Sequence, residues 1–161
     1  MRARASGSSA RRRVELTVPV DVDAPAAAVW ETATDWPGQG AWIVATRVEV
    51  DGPGDGRHLG ARLRAVNAIG PLGFTDTMEI VEWEPPRRCV VRHTGKLVRG
   101  DGVFEVVPLG PNRARLLWSE LLDLPLGAVG ALGWRVVVPA VRLGLARSLQ
   151  TMARQCAARH G

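Results

Sequence analysis

The chain of 161 residues contains no tyrosine, one lysine, two cysteines and three histidines. The spacing of Cys89 and Cys156 matches no zinc or redox motif, so we expect buried free thiols in a reducing cytoplasm. Glycine-rich nucleotide-binding motifs, zinc-protease motifs and the serine motif of hydrolases are missing, and the scattered histidines do not form a metal cluster. We therefore predict neither a cofactor nor a metal site.

Acidic residues are missing from both ends of the chain, although the net charge is only +5. All 16 acidic residues lie between Glu15 and Asp123, where 11 of the 21 basic residues lie, so this middle part has a net charge of −5. Because the basic excess is confined to the two ends and the middle part is acidic overall, the positive net charge is weak evidence for nucleic-acid binding. We predict no nucleic-acid partner, and the two basic ends leave weak contact with an anionic membrane as an alternative.

Alternating apolar residues and turn residues predict a series of strands separated by short connections. After the first strand, Asp23, Ala24 and Pro25 are typical of a helix start and predict a short helix over residues 26–34. Short connections favour antiparallel pairing of the strands. The predicted strands cover residues 14–22, 43–50, 60–68, 74–83, 87–94, 97–107 and 113–122.

The composition changes after residue 125, where spacing typical of a helix replaces the strand pattern. The segment is predicted to be a long amphipathic helix, with Arg147 and Arg154 opposite its apolar stripe and Pro139 kinking or dividing it. Arg135 and Arg142 interrupt the most apolar interval, so a transmembrane helix is not expected. The stripe consists of Val138, Val141, Leu145, Leu149, Met152 and Cys156.

One strand, one helix, a run of strands and a final long helix predict an α+β domain. The sheet must curl around the last helix to cover both apolar faces, and Gly100 and Gly102 inside a strand are typical of a bend. Such curling leaves a cavity between sheet and helix. We assign residues 14–161 to this domain and residues 1–13, which no apolar segment follows, to a disordered basic tail rather than a signal peptide.

Several segments resemble the START-like superfamily, specifically its bacterial polyketide cyclase/dehydrase-type branch (SRPBCC). They are Val20–Trp30, Asp35-Trp36-Pro37 followed by Trp42, Met78–Arg87, and Gly102–Val106. The resemblance covers roughly residues 14–158 and implies the helix-grip fold, in which a curved antiparallel sheet wraps around a long C-terminal helix. It also implies a role among ligand carriers, cyclases and related proteins, a choice that the fold itself does not make.

Three ionisable side chains are candidates for acid–base chemistry. If Arg113 and Arg115 face solvent, strand parity turns Glu120 into the cavity. His93 alternates with apolar residues and is predicted to face inward, whereas the parity of Asp76 stays open. Each has a structural alternative: Glu120 as the partner of an arginine, His93 as a hydrogen-bonded core residue, and Asp76 as a surface charge.

Candidate ligand-binding residues lie on the predicted inner faces. Arg64 and Asn67 have opposite parities on one strand, so at most one of them faces the cavity. The other candidates are large apolar or aromatic side chains of the strands and the final helix. They are Trp118, Trp134, Phe104, Met78, Leu145 and Leu149.

These features lead to three functional hypotheses. The first is a cytoplasmic protein, monomeric or homodimeric, that binds a hydrophobic small molecule such as a lipid or a polyketide-like compound in the cavity. The second is a polyketide cyclase, aromatase or dehydratase, which requires at least two polar groups converging in the cavity. The third is peripheral binding to a membrane or a protein partner through the basic final helix.

Overall fold

In the part of the chain that the structure describes, the elements follow the predicted order: one strand, short helical segments, six further strands and a final helix. The computed structural model describes residues 12–69, 72–96, 98–124 and 127–160. The elements are β1 (Arg12–Val22), α1 (Ala26–Ala33), a 3-10 helix (Pro37–Ala41), β2 (Thr46–Val50), β3 (Arg62–Ile69), β4 (Leu72–Glu84), β5 (Arg88–His93), β6 (Gly100–Gly110), β7 (Arg113–Leu124) and α2 (Gly127–His160).

Within the described residues, seven strands form one curved antiparallel sheet in the order β1-β7-β6-β5-β4-β3-β2. From β2 to β7 each strand pairs with the next along the chain, as short connections favour. β1 pairs with β7 along its whole length, so α1 and the 3-10 helix carry the chain from one edge of the sheet to the other. The predicted helix-grip α+β fold is confirmed.

Helix α2 packs against β1 and also contacts β7 and α1. Leu149, Met152 and Cys156 are fully buried on its inner face, and Val138 and Leu145 are partly buried against the same core. The predicted apolar stripe therefore fastens the helix to the sheet, since burial of aliphatic side chains is the main favourable contribution to such packing. Pro139 lies inside α2 and does not divide it, contrary to one of the two outcomes expected for it.

The first residues of β1 and β2 differ from the prediction. β1 begins at Arg12, and Arg13 donates a hydrogen bond of 3.2 Å to Asp123, so both arginines belong to the strand and not to the predicted tail. Residues 1–11 of that tail lie outside the described residues. β2 begins at Thr46 instead of Ile43, because the backbone N–H of Ile43 still bonds to the 3-10 helix and Ala45 has a φ of 56°.

Gly100 begins β6 in a conformation that other residues rarely adopt. Its φ is +126°, and a Cβ built there would lie 2.0 Å from the carbonyl oxygen of Leu121. Glycine is therefore required at the start of β6, where its backbone comes close to Leu121 and Leu122 of β7. The strand was predicted to begin at Leu97, which is not described, but the described residues Val98 and Arg99 lie outside it, so the predicted start was too early.

Candidate functional site

A cavity of about 640 Å³ lies between the inner face of the sheet, the segment that follows the 3-10 helix, and α2. Its volume is in the range that binds small molecules, and most of its wall is apolar. The chain therefore encloses the space that the sequence predicted between sheet and helix. The lining residues are Trp36, Gln39, Ile43, Val44, Ala45, Thr46, Val48, Leu63, Ala65, Asn67, Ala68, Asp76, Met78, Val91, His93, Gly102, Phe104, Trp118, Glu120, Val141, Gly144, Leu145 and Ser148.

Three ionisable side chains from three different strands meet in this wall: Asp76 of β4, His93 of β5 and Glu120 of β7. His93 pairs across the sheet with Met78, two residues from Asp76 and on the same face. The side chain of Asp76, whose orientation the sequence left open, faces the cavity. The side chains of Asp76 and His93 are 7% and 8% exposed, and that of Glu120 is 15% exposed, so all three are largely removed from water.

Gly102 explains how His93 and Glu120 touch although β6 runs between their strands. It lies opposite both Val91 and Glu120 in the strand pairing and faces the cavity. A Cβ at this position would lie 3.0 Å from a methyl group of Val91 and 3.6 Å from Oε1 of Glu120. Because Gly102 has no side chain, the residues on either side of β6 can meet above its backbone.

The histidine bridges the two carboxylates. Its Nδ1 lies 2.6 Å from Oδ2 of Asp76, and its Nε2 lies 3.3 Å from Oε2 of Glu120. With both ring nitrogens protonated, the imidazolium donates a hydrogen bond to each acid. The indole Nε1 of Trp118 donates to Oε1 of Glu120 at 2.7 Å, which holds that carboxylate in place. Oδ1 of Asp76 is buried and has no hydrogen-bond partner among the described residues.

These contacts determine the charge of His93. Burial disfavours the charged imidazolium, but hydrogen bonds to Asp76 and Glu120, together with their negative charges, outweigh burial and raise the pKa of His93 to about 10. His93 is therefore a protonated acid at neutral pH. An ordinary histidine, with a pKa of 6.5, would be mostly neutral there.

The raised pKa predicts how stability changes with pH. A pKa of 6.5 in the unfolded chain and about 10 in the folded state stabilises the protein fully below pH 6.5, and this contribution is lost as the pH rises through about 10. We expect the melting temperature of the natural protein to fall over this interval more steeply than that of His93→Gln, whereas a His58→Gln control keeps the natural slope. A proton NMR titration of His93 with a midpoint near 6.5 would contradict the assignment.

The structure places most of the predicted ligand-binding residues on the cavity wall. Trp118, Asn67, Phe104, Met78 and Leu145 line it together with the three acid–base candidates.

Arg64, Trp134 and Leu149 do not line the cavity, which corrects their prediction as ligand-binding residues. Arg64 faces the outer side of the sheet, where its guanidinium donates to Glu49 at 2.9 Å, and the opposite parity leaves Asn67 inside. Trp134 is half-buried on the first part of α2 and packs against the core. Leu149 is fully buried in that core, below the cavity wall.

Three polar lining residues were missed by the sequence interpretation because no local pattern marks them. Gln39 donates to the carbonyl oxygen of Ala33 at 2.7 Å, and Thr46 donates to the side-chain oxygen of Asn67 at 2.8 Å. The hydroxyl of Ser148 on α2 accepts a hydrogen bond of 3.0 Å from the backbone N–H of Val44. They add fixed polar groups to a wall that is otherwise mainly apolar.

Solved structures of similar fold include the Zhui aromatase/cyclase from Streptomyces sp. R1128, with a TM-score of 0.73, 21% identity, and coverage of 92% of this chain and 96% of that one. Norcoclaurine synthase from Thalictrum flavum, in complex with dopamine and hydroxybenzaldehyde, has a TM-score of 0.71 at 16% identity and covers 100% of this chain and 96% of its own. The protein TTHA0849 from Thermus thermophilus has a TM-score of 0.74 at 18% identity, with coverage of 92% and 100%. At these identities the likeness shows the fold.

No curated protein matches the chain. The family described as polyketide cyclase / dehydrase and lipid transport matches residues 13–158, which is nearly the whole domain. The resemblance read from Val20–Trp30 and Met78–Arg87 is thereby confirmed. The chain belongs to the polyketide cyclase / dehydrase and lipid transport family.

Proposed function

We propose that this protein binds an apolar, carbonyl-bearing molecule of the polyketide type in its cavity and catalyses its cyclisation or dehydration by proton transfer. The observation that carries the proposal is the convergence of Asp76, His93 and Glu120 inside a mainly apolar cavity. A cavity that only held an apolar ligand would not need three ionisable groups, because burying each of them costs free energy. Membership of the family supports the ligand class.

The geometry suggests a division of roles for a dehydration. The Glu120 carboxylate takes a proton from the carbon next to the ligand's carbonyl group, and the C–H electron pair forms a C=C bond. The C–O bond at the β-carbon breaks, and the departing hydroxyl takes the Nε2 proton of His93 and leaves as water. Transfer of a proton from Glu120 to Nε2, 3.3 Å away, then restores the site.

Asp76 acts through His93 as a positioning residue. Its bond of 2.6 Å to Nδ1 fixes the imidazole ring with Nε2 directed toward Glu120, and its charge favours the protonated ring. Glu120 is the more accessible of the two acids, with 15% of its side chain exposed against 7% for Asp76, which suits it to contact a ligand.

The test uses a model compound, the aldol of benzaldehyde and acetone, which is an apolar β-hydroxy ketone. Its dehydration yields a conjugated ketone that is followed by ultraviolet absorbance. We expect the protein to accelerate the reaction by at least ~100-fold over an equal concentration of free imidazole, the usual contribution of a positioned acid or base. A rate equal to that of imidazole, together with tight binding of an apolar dye, would overturn the catalytic role and indicate a carrier.

Filling the cavity should abolish binding without unfolding the domain. Leu145 lines the cavity and is only partly buried, so the long charged side chain in Leu145→Arg takes up ligand space while its end can reach solvent. We expect the enhanced fluorescence of an apolar naphthalene dye to be lost while the domain stays folded, with a melting temperature lowered only by the loss of the Leu145 contact with the core. Leu143→Arg, at an outward position that is 50% exposed, is the matched control and should bind the dye normally. Equal dye binding by both variants would place the ligand elsewhere.

A further inference from the structure

The first half of α2 exposes aliphatic side chains that nothing in the described residues covers. Val129, Leu132, Val136 and Leu143 are 71%, 65%, 76% and 50% exposed. Their spacing of three, four and seven residues places them on one face of the helix, opposite the stripe that packs on the sheet. Exposed apolar patches of this kind, formed by neighbouring residues, mark surfaces that contact a partner or a membrane.

The charged side chains that α2 itself contributes beside this face are basic. Residues 127–160 contain no aspartate or glutamate. Arg135 and Arg142 flank the face and are exposed, and Arg147 follows it one turn beyond Leu143. Aliphatic residues bordered by arginines are the pattern of a helix that lies in the headgroup region of an anionic membrane. A protein partner would need a complementary apolar and acidic surface, whereas an anionic bilayer offers both properties over any area.

The half of α2 that carries the exposed face also contributes to the cavity wall. Val141 and Gly144, which lie between and beyond the exposed residues on the same helix, line the cavity. Val44, on the segment facing α2, also lines it and is 59% exposed. The exposed residues and the cavity-lining residues of α2 therefore lie close together along the helix but on different sides of it.

We propose that the protein docks on anionic lipid bilayers through the outer face of α2 between Val129 and Leu143. By length and composition α2 could span a membrane, and its most apolar 18-residue window contains no buried residue. Helix α2 lies on the surface of the domain instead, because its inner face is packed on β1 and Arg142 donates a hydrogen bond to the carbonyl oxygen of Thr17. The exposed segment is ~21 Å long, which suits an interfacial helix.

The experiment is co-sedimentation of the full chain with phosphatidylcholine vesicles, with and without phosphatidylglycerol. We expect binding to the anionic vesicles at low salt, weakening as salt is added, because the arginine contribution is screened. Leu132→Asp should lower the partition coefficient by at least about tenfold, since an aliphatic contact is replaced by a charge that the vesicles repel. Arg135→Gln should lower it about fivefold on anionic vesicles only.

Leu59→Asp is the matched control, because Leu59 is also 65% exposed but lies on the loop between β2 and β3. It should bind as the natural protein does. Absence of natural binding, or equal loss in the Leu59 and Leu132 variants, would overturn the proposal. A homodimer that Leu132→Asp dissociates in sedimentation velocity, without vesicle binding, would overturn it too and assign the face to a second copy.

These outcomes are independent of the proposed catalysis. Vesicle binding is measured without a substrate, and β-hydroxy ketone dehydration is measured without a membrane. If the protein binds vesicles but does not dehydrate the ketone, only the proposed catalytic function is contradicted. If it dehydrates the ketone but does not bind vesicles, only the proposed membrane docking is contradicted.

Discussion

His93→Gln is expected to lower the rate of β-hydroxy ketone dehydration by at least ~100-fold, the largest kinetic effect of any single substitution in the cavity. Glutamine can still donate and accept hydrogen bonds, but its amide is not acidic enough to transfer a proton, so the departing hydroxyl loses its acid. The apolar wall that binds the ligand is unchanged. The measurement is the single-turnover rate at saturating ligand, with binding of the apolar dye followed in parallel.

The same substitution also leaves two buried carboxylates close together without a cation between them. Removing one member of a buried charge cluster typically costs about 3 kcal/mol of folding free energy. The double variant His93→Gln with Asp76→Asn removes one of these charges and is expected to regain part of the stability but none of the activity. The exposed His58 provides the control, since His58→Gln should change neither quantity.

Recovery of activity in the double variant, or a rate for His93→Gln within twofold of the natural protein, would contradict the role of His93 as the acid.

Glu120→Gln tests the other half of the mechanism. It should slow proton removal while keeping the hydrogen bond from Trp118, because the amide oxygen still accepts it. Glu120→Gln should therefore lower the rate constant for dehydration without changing the affinity for the dye.

Leu149→Asp is expected to unfold the domain at ordinary temperatures. Leu149 is fully buried where α2 packs on the sheet, so the variant removes an aliphatic side chain from the core and places a charge there without a partner. A buried leucine truncation alone costs ~3–5 kcal/mol, and the buried charge adds to this, while a domain of this kind is stable by only ~5–15 kcal/mol. Circular dichroism melting and chemical denaturation measure the loss.

Leu143→Asp, six residues earlier on the same helix, is the matched control. Leu143 is 50% exposed, so the new charge is solvated and the melting temperature should stay within a degree or two of the natural value, as for most surface substitutions. A cooperative, undiminished unfolding transition in Leu149→Asp would contradict the packing of α2 described here. An equal loss in both variants would mean that the outer face of α2 is also covered.

The periodicities of the sequence determined which elements form. Alternation in residues such as Leu16 and Val18 marks strands, helical spacing of Leu145, Leu149 and Met152 marks α2, and these are local properties of the chain. Strand parity also predicted that Glu120 and His93 face inward, since one reference residue on a strand orients all the others. The fold class and two of the three acid–base side chains could therefore be predicted before any contact was known.

The tertiary structure alone decided which of these side chains meet. The contact between His93 and Glu120 depends on the order of β5, β6 and β7 in the sheet and on the absence of a side chain at Gly102, and no local pattern reports either. The inward orientation of Asp76 and the outward one of Arg64 follow from the strand register, which is settled by packing over the whole sheet. Sequence periodicity states which face a residue occupies on its own element, whereas a site is made by the distances between elements, which only long-range packing sets.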